Sequence, residues 1–248
     1  MEVHHHPDIH HKSKAWKEYF LEGLMIFVAV MLGFFAESLR ESIGDKEKEK
    51  EYISSFIKNL QEDTLFLNMT VRYNTHKMNG LDSLLALATK NIDDAQIRKS
   101  LYTYSSRYVS HYSIFISNDA TMMQLKNAGG LRFIRKDHVA DSIAKYDFNI
   151  SDIYAAEKLY AKAQDDALTM QQEILVETIY RDTTYFNNHE FTSKKLPLVT
   201  TDPEKLKIFF NKIAYEEGWT ENYINNINAR IPYAISLIAF LKKVYDIE

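Results

Sequence analysis

From Tyr19 to Ala36 the chain reads YFLEGLMIFVAVMLGFFA, a run interrupted by one ionisable side chain, Glu22. As a helix it covers roughly 27 Å, close to the thickness of a bilayer's hydrocarbon core. A soluble helix seldom stays apolar on every face for so long. Lys12, Lys14 and Lys17 precede the run, Trp16 and Tyr19 sit at interface depth, and Glu37, Arg40 and Glu41 follow it, the flanks expected of a membrane span. No small-residue cleavage site comes after it and a charged helix continues instead, so the expectation is a retained signal anchor.

Within the span Glu22, Ala29, Gly33, Glu37 and Arg40 recur at steps of seven, four, four and three and form one stripe of the helix, the other faces being Leu, Ile, Phe, Val and Met. Ala29 and Gly33 make a small-xxx-small pair that lets another helix approach closely, and an intramembrane carboxylate is costly unless paired or wet. The stripe therefore implies a helix partner, either a second copy or another membrane protein. The competing reading places Glu22 at headgroup depth, reaching back toward Lys14 or Lys17.

Basic residues alone leave the orientation tied, with Lys12, Lys14 and Lys17 on one side and Arg40, Lys46, Lys48 and Lys50 on the other. The first three lie within two turns of the span, whereas Lys46, Lys48 and Lys50 lie beyond Gly44 and farther from the bilayer. The expected topology is an N-terminus in the cytoplasm of a bacterial cell, one crossing of the inner membrane, and a periplasmic C-terminal domain.

Only 7 glycines and 4 prolines occur among 248 residues, too few for a turn-rich sandwich or barrel, while 46% hydrophobic residues suffice for a continuous core. Past the charged DKEKEKE stretch, Ile53, Ile57, Leu60, Thr64, Leu67, Val71, Asn74, Met78, Leu81, Leu85 and Ala88 alternate steps of four and three. That 3.5-residue period predicts a long helix with a coiled-coil-like seam. A second helix is expected from about Ala95 to Ser117, with Leu101, Tyr104, Tyr108, Tyr112 and Phe115 on one face. A short helix capped by Asn118 or Asp119 should end at Gly129 and Gly130. A long helix from about Asp137 should bury Val139, Ile143, Tyr146, Ile150, Ile153, Ala156, Tyr160, Ala163, Ala167, Met170 and Ile174. Thr183 to Thr201 reads as a loop, Asp202-Pro203 as a helix start and Gly218 as its close. The last helix is expected from near Thr220 with a bend at Pro232. Its IPYAISLIAFL stretch is too short to span a bilayer and reads as a core helix.

Taken together, HHHPDIHHK, WKEYFLEGLMIFVAVMLGFFAESLRE, EKEYISSFIKNLQEDT and ATMMQLKNAGGLRFIRKDHVADSIAKYD resemble uncharacterised Gram-negative membrane families, common in Bacteroidota. Those families carry a His-rich tail, one span and a helical domain. The resemblance runs from Met1 to about Tyr146 and brings architecture without chemistry.

His4, His5, His6, His10 and His11, with Asp8 among them, offer borderline nitrogen ligands for Zn, Cu or Ni. A tail broken by Pro7 lacks preorganised geometry, so only weak metal binding is expected and no other cofactor. No GxSxG, GxGxxG, P-loop, HExxH or kinase set occurs, so no catalytic residue is assigned and an enzyme is unsupported. With 0 cysteines no thiolate site or disulfide framework can form. A net charge of −4 and a pI of about 6.2 argue against nucleic-acid binding. The sequence thus predicts an all-α protein: tail 1–17, transmembrane helix 18–40, and 41–248 as a helical stalk and antiparallel bundle. The expected function is that of a membrane-anchored interaction or scaffold protein, an oligomeric or accessory subunit of an envelope complex. The alternative is a metal- or ligand-responsive membrane sensor using the His-rich tail or the helical domain.

Overall fold

A computed structural model describes residues 16–127, 129–181 and 196–248. The protein is all-α. In chain order the elements are α1 (Trp16–Leu85), α2 (Ala95–Tyr104), a π-helical turn (Ser105–Val109), α3 (Ala120–Asn127), a 3-10 turn (Gly130–Phe133), α4 (Val139–Ile174), a second 3-10 turn (Glu177–Arg181), α5 (Pro203–Asn228) and α6 (Ile231–Tyr245). Among the described residues the only sheet-like pairing is an isolated bridge between Leu175 and Leu198. The chain divides into two compact units at Lys50 and Glu51.

In the first unit, α1 is the one described helix long and apolar enough to cross a membrane, and none of its apolar window is buried. Leu21, Met25, Ile26, Phe27, Phe34 and Phe35 are all exposed. Apolar side chains left bare over so many turns need a non-aqueous surrounding or a partner.

The second unit is a bundle. The predicted 3.5-residue seam of α1 turns inward, with Ile53, Ile57, Leu60, Leu67, Asn74 and Leu81 buried, so this chain's own helices take up the seam. α4 runs parallel to α1, as the pairs Asp63–Tyr146 and Asn74–Tyr160 establish. α5 runs antiparallel to α4, since Lys205 meets Glu173 and Lys212 meets Asp166, and Arg230, just past the end of α5, meets Asp152. α6 continues that path past a break at Ala229–Arg230, where Tyr233 donates to the Ser142 carbonyl at 2.9 Å. Every α4 position expected to be interior is buried.

Local chemistry explains most of the boundaries. Asp94 caps α2 by accepting from the amides of Gln96 and Ile97 at 2.7 and 3.2 Å. Asp202 accepts from Glu204 N–H at 3.0 Å, with Pro203 opening α5. Gly129, at φ 65°, supplies the left-handed stop after α3.

Three expectations need correction. The second helix does not reach Ser117: it passes through a π turn at Ser105–Val109, and residues 111–119 belong to neither helix nor strand. Ser113 and Asn118 are held by Asn74 and Asp63, about 16 Å apart along α1, so the chain between them is drawn out. The reason is tertiary, because side chains of α1, α4 and α5 bind the backbone of that segment in place of a helical ladder. Gly218 does not end a helix; α5 passes straight through it. Burial of Phe209, Ile213, Tyr223 and Ile227 on one face outweighs the roughly 1 kcal/mol that an interior glycine costs. The last helix therefore begins at Ile231, with Pro232 in its first turn rather than at a bend.

Candidate functional site

The predicted interface residues Glu22, Ala29, Gly33, Glu37 and Arg40 all lie on α1 and all are exposed. Arg40 donates to Glu37 from Nε at 2.9 Å and from Nη2 at 2.5 Å, so one end of the stripe closes as an i,i+3 ion pair. A Cβ added at Gly33 would meet nothing within 4 Å, leaving room for the close approach a small-xxx-small pair allows. His4, His5, His6, His10 and His11 lie outside the described residues. Among the described residues no group of three or more His, Asp or Glu is placed to hold a metal.

In the helical domain the geometry has two parts that sequence reasoning did not join. The first is a polar layer between two apolar clusters. One cluster gathers Ile53, Phe56, Leu60, Ile143, Ile153 and Leu237, and the other gathers Leu81, Leu84, Tyr102, Ala167, Phe209 and Ile213. On each long helix the polar residues fall between them: Asn74 and Lys77 on α1, Gln164 on α4, Glu216 and Thr220 on α5, all buried.

Lys77 Nζ lies 2.7 Å from Glu216 Oε1 and donates to Gln164 Oε1 at 3.0 Å and to Tyr160 Oη at 3.3 Å. Tyr160 Oη in turn donates to Asn74 Oδ1 at 2.8 Å. Neither Glu216 oxygen receives a hydrogen bond of good geometry from a described residue, despite the short approach of Lys77. Burial therefore outweighs the attraction for both partners, pushing the Glu216 carboxyl up to about 7 and holding the Lys77 ammonium below its ordinary range. Just beyond this pair Glu217 faces Asp82. Burial, a hydrogen bond with Asp82, and the charges of Asp82 and Glu221 also push Glu217 up to about 7.

The second part is the extended segment 111–119 and a groove beside it. Asp63, itself buried, accepts from Ser117 Oγ at 2.6 Å, Asn118 N–H at 2.7 Å and Tyr146 Oη at 2.6 Å. Burial and the Asp63 charge raise the Tyr146 phenol well above its usual range, so it stays a donor. Asn74 Nδ2 donates to the Ser113 carbonyl at 2.8 Å. Along this segment and the outer face of α1 runs a groove of about 480 Å³, walled by Phe66, Met69, Tyr73, Ile114 and Ile116. Arg72 and His76 also line it, and among the described residues no acidic side chain does.

Of the tyrosines that the sequence placed on one face, Tyr108 packs where a side chain on Gly80 would stand, 2.3 Å from its ring carbons. Tyr112 is exposed on the extended segment. Sequence reasoning missed Tyr102, which is fully buried, donates to the Pro197 carbonyl and accepts from Val176 N–H. Its partners lie 95 and 74 residues away, and no local pattern encodes them. Comparison with known proteins gives no match to this chain from a family model, a curated protein or a solved structure. Fold and geometry thus define an all-α chain with, among the described residues, one helix long and apolar enough to cross a membrane and a bundle containing a buried charged layer.

Proposed function

We propose that this protein is a membrane-anchored helical interaction protein that assembles through its span, as a homo-oligomer or as an accessory subunit of a bacterial envelope complex. The observation that carries this reading is the uncovered stripe Glu22–Ala29–Gly33–Glu37–Arg40 on a helix whose apolar window is wholly exposed. A carboxylate and two small residues on one face are what helix association within a bilayer uses, through close packing and polar contacts. Lys12, Lys14 and Lys17, close to the span, favour a cytoplasmic N-terminus, which sends the helical domain to the periplasm.

Native mass spectrometry in mild detergent tests the assembly, with a homo-oligomer or a stable partner expected. A clean monomer with no co-purifying protein would refute it. For topology, alkaline phosphatase fused after Glu248 should be active and a cytoplasm-only fluorescent reporter dark; the reverse places the domain in the cytoplasm.

A second reading, a ligand-responsive sensor, draws support from the groove of about 480 Å³, a volume in the range of small-molecule sites. The His-rich tail would add weak metal sensitivity. Calorimetric titration with Zn, comparing the intact chain with one lacking all five tail histidines, separates the two, since equal affinities remove the metal branch.

A further inference from the structure

The backbone of the extended segment is satisfied along one edge. Ser113 C=O accepts from Asn74, Phe115 N–H donates to Tyr223 Oη at 2.9 Å, and Ser117 N–H donates to Tyr154 Oη at 3.1 Å. These are alternate residues, and a drawn-out chain turns successive backbone groups to opposite sides; the alternation ends at Asn118, whose N–H turns inward to Asp63. The groups between them make the other edge. No described residue hydrogen-bonds to the N–H or C=O of Ile114 or Ile116.

The same two isoleucines wall the apolar groove, where Ile116 is 69% exposed, Met69 55% and Phe66 48%. Arg72, on the groove's rim, has no ion pair among the described residues. An open backbone edge, an apolar trough and an unpaired cation thus coincide at one place.

We propose that this place binds an extended peptide segment as an added strand. Its backbone pairs with Ile114 and Ile116, alternate apolar side chains enter the groove, and an acidic side chain meets Arg72. A fatty acid would fill the groove and neutralise Arg72 but would offer the strand edge no repeating N–H and C=O groups. A docked helix has already spent its backbone groups internally. The free edge therefore favours a strand, and the missing negative charge favours an acidic one. This inference is independent of assembly through the span.

The test is a selection of displayed random peptides on the full-length chain in lipid nanodiscs, with empty nanodiscs subtracted. Enriched sequences should alternate apolar and polar residues and carry Asp or Glu. A synthetic consensus peptide should lose roughly tenfold or more in affinity against Arg72→Glu. A peptide with its acid changed to lysine should recover that loss on the variant. N-methylation of the peptide amides facing Ile114 and Ile116 should abolish binding with every side chain kept. Arg72 is exposed, so an unchanged melting curve verifies that the variant is folded. No enrichment, a helical spacing of apolar anchors, indifference to N-methylation, or dodecanoate binding more tightly than any selected peptide would each overturn the proposal.

Discussion

Lys77 Nζ and Glu216 Oε1 stand 2.7 Å apart at the level where the two apolar clusters of the helical domain separate, and neither side chain reaches solvent. Such a pair is a poor source of net stability, because each charge gives up its water; its removal one side at a time is another matter. Lys77→Met should cost about 3–5 kcal/mol in denaturant unfolding, since it strands a buried carboxylate. The double variant Lys77→Met with Glu216→Leu should return to within about 1 kcal/mol of the parent or exceed it. A double variant left as unstable as Lys77→Met alone would mean that the pair stabilises the bundle outright, and additive losses would mean that the two side chains are not coupled at all.

The same layer sets a pH dependence. Glu216 and Glu217 are both raised to about 7 from an ordinary value of 4.5. Over that interval the folded protein holds protons that the unfolded chain has released, so stability falls as pH rises from about 4.5 to about 7. Lys77, lowered by burial, adds the opposite slope above its own folded value. The melting temperature should be higher at pH 5 than at pH 7.5, and Glu217→Gln should flatten part of the fall by removing the acid that faces Asp82 and Glu221. A melting temperature that climbs across this range would contradict the assignment.

Gly80 is a close-approach glycine. A Cβ there would sit 2.3 Å from three ring carbons of Tyr108, and the ring is held beside His76 at 5.5 Å between centroids. Gly80→Ala should destabilise by about 1–3 kcal/mol through overpacking, despite alanine's better helix propensity. Adding Tyr108→Ala should recover part of the loss, which equilibrium unfolding of the two variants measures.

Asp63 anchors the extended segment. Asp63→Ala leaves the Asn118 amide and the Tyr146 hydroxyl without their acceptor, at about 1–3 kcal/mol for each group kept from water. Amide exchange should accelerate at Phe115, Ser117 and Asn118 while α4 stays protected. Uniform acceleration across the domain would show that the segment does not open as a separate unit.

How far these relationships were legible depends on their range. The α1 seam from Ile53 to Leu85 and the buried face of α4 follow a helical period, so local spacing revealed them. The Asp202-Pro203 start and the Gly129 stop carry their own backbone chemistry. What stayed hidden was long-range: the extension of residues 111–119 depends on Asp63, Asn74, Tyr154 and Tyr223, which lie tens of residues away. Gly218 misled because its cost is local while the burial that overrides it is tertiary. Lys77 and Glu216 are charged residues within apolar patterns, and neither sequence neighbourhood points to the other. In the apolar part of α1, the shared face of Glu22, Ala29, Gly33, Glu37 and Arg40 follows from their spacing alone.

Assembly through that stripe is tested most directly by cysteine scanning, for which the chain offers a background of 0 native cysteines. Single cysteines placed from Leu24 to Arg40 in the full-length protein, oxidised in its native membrane, report which face meets a second copy. Crosslinked dimers should peak at Ala29, Gly33 and Glu37 and vanish at Phe27 and Phe34, and Gly33→Leu should suppress them. Crosslinking spread evenly around the helix, or dimers that persist unchanged with Gly33→Leu, would contradict assembly through this face.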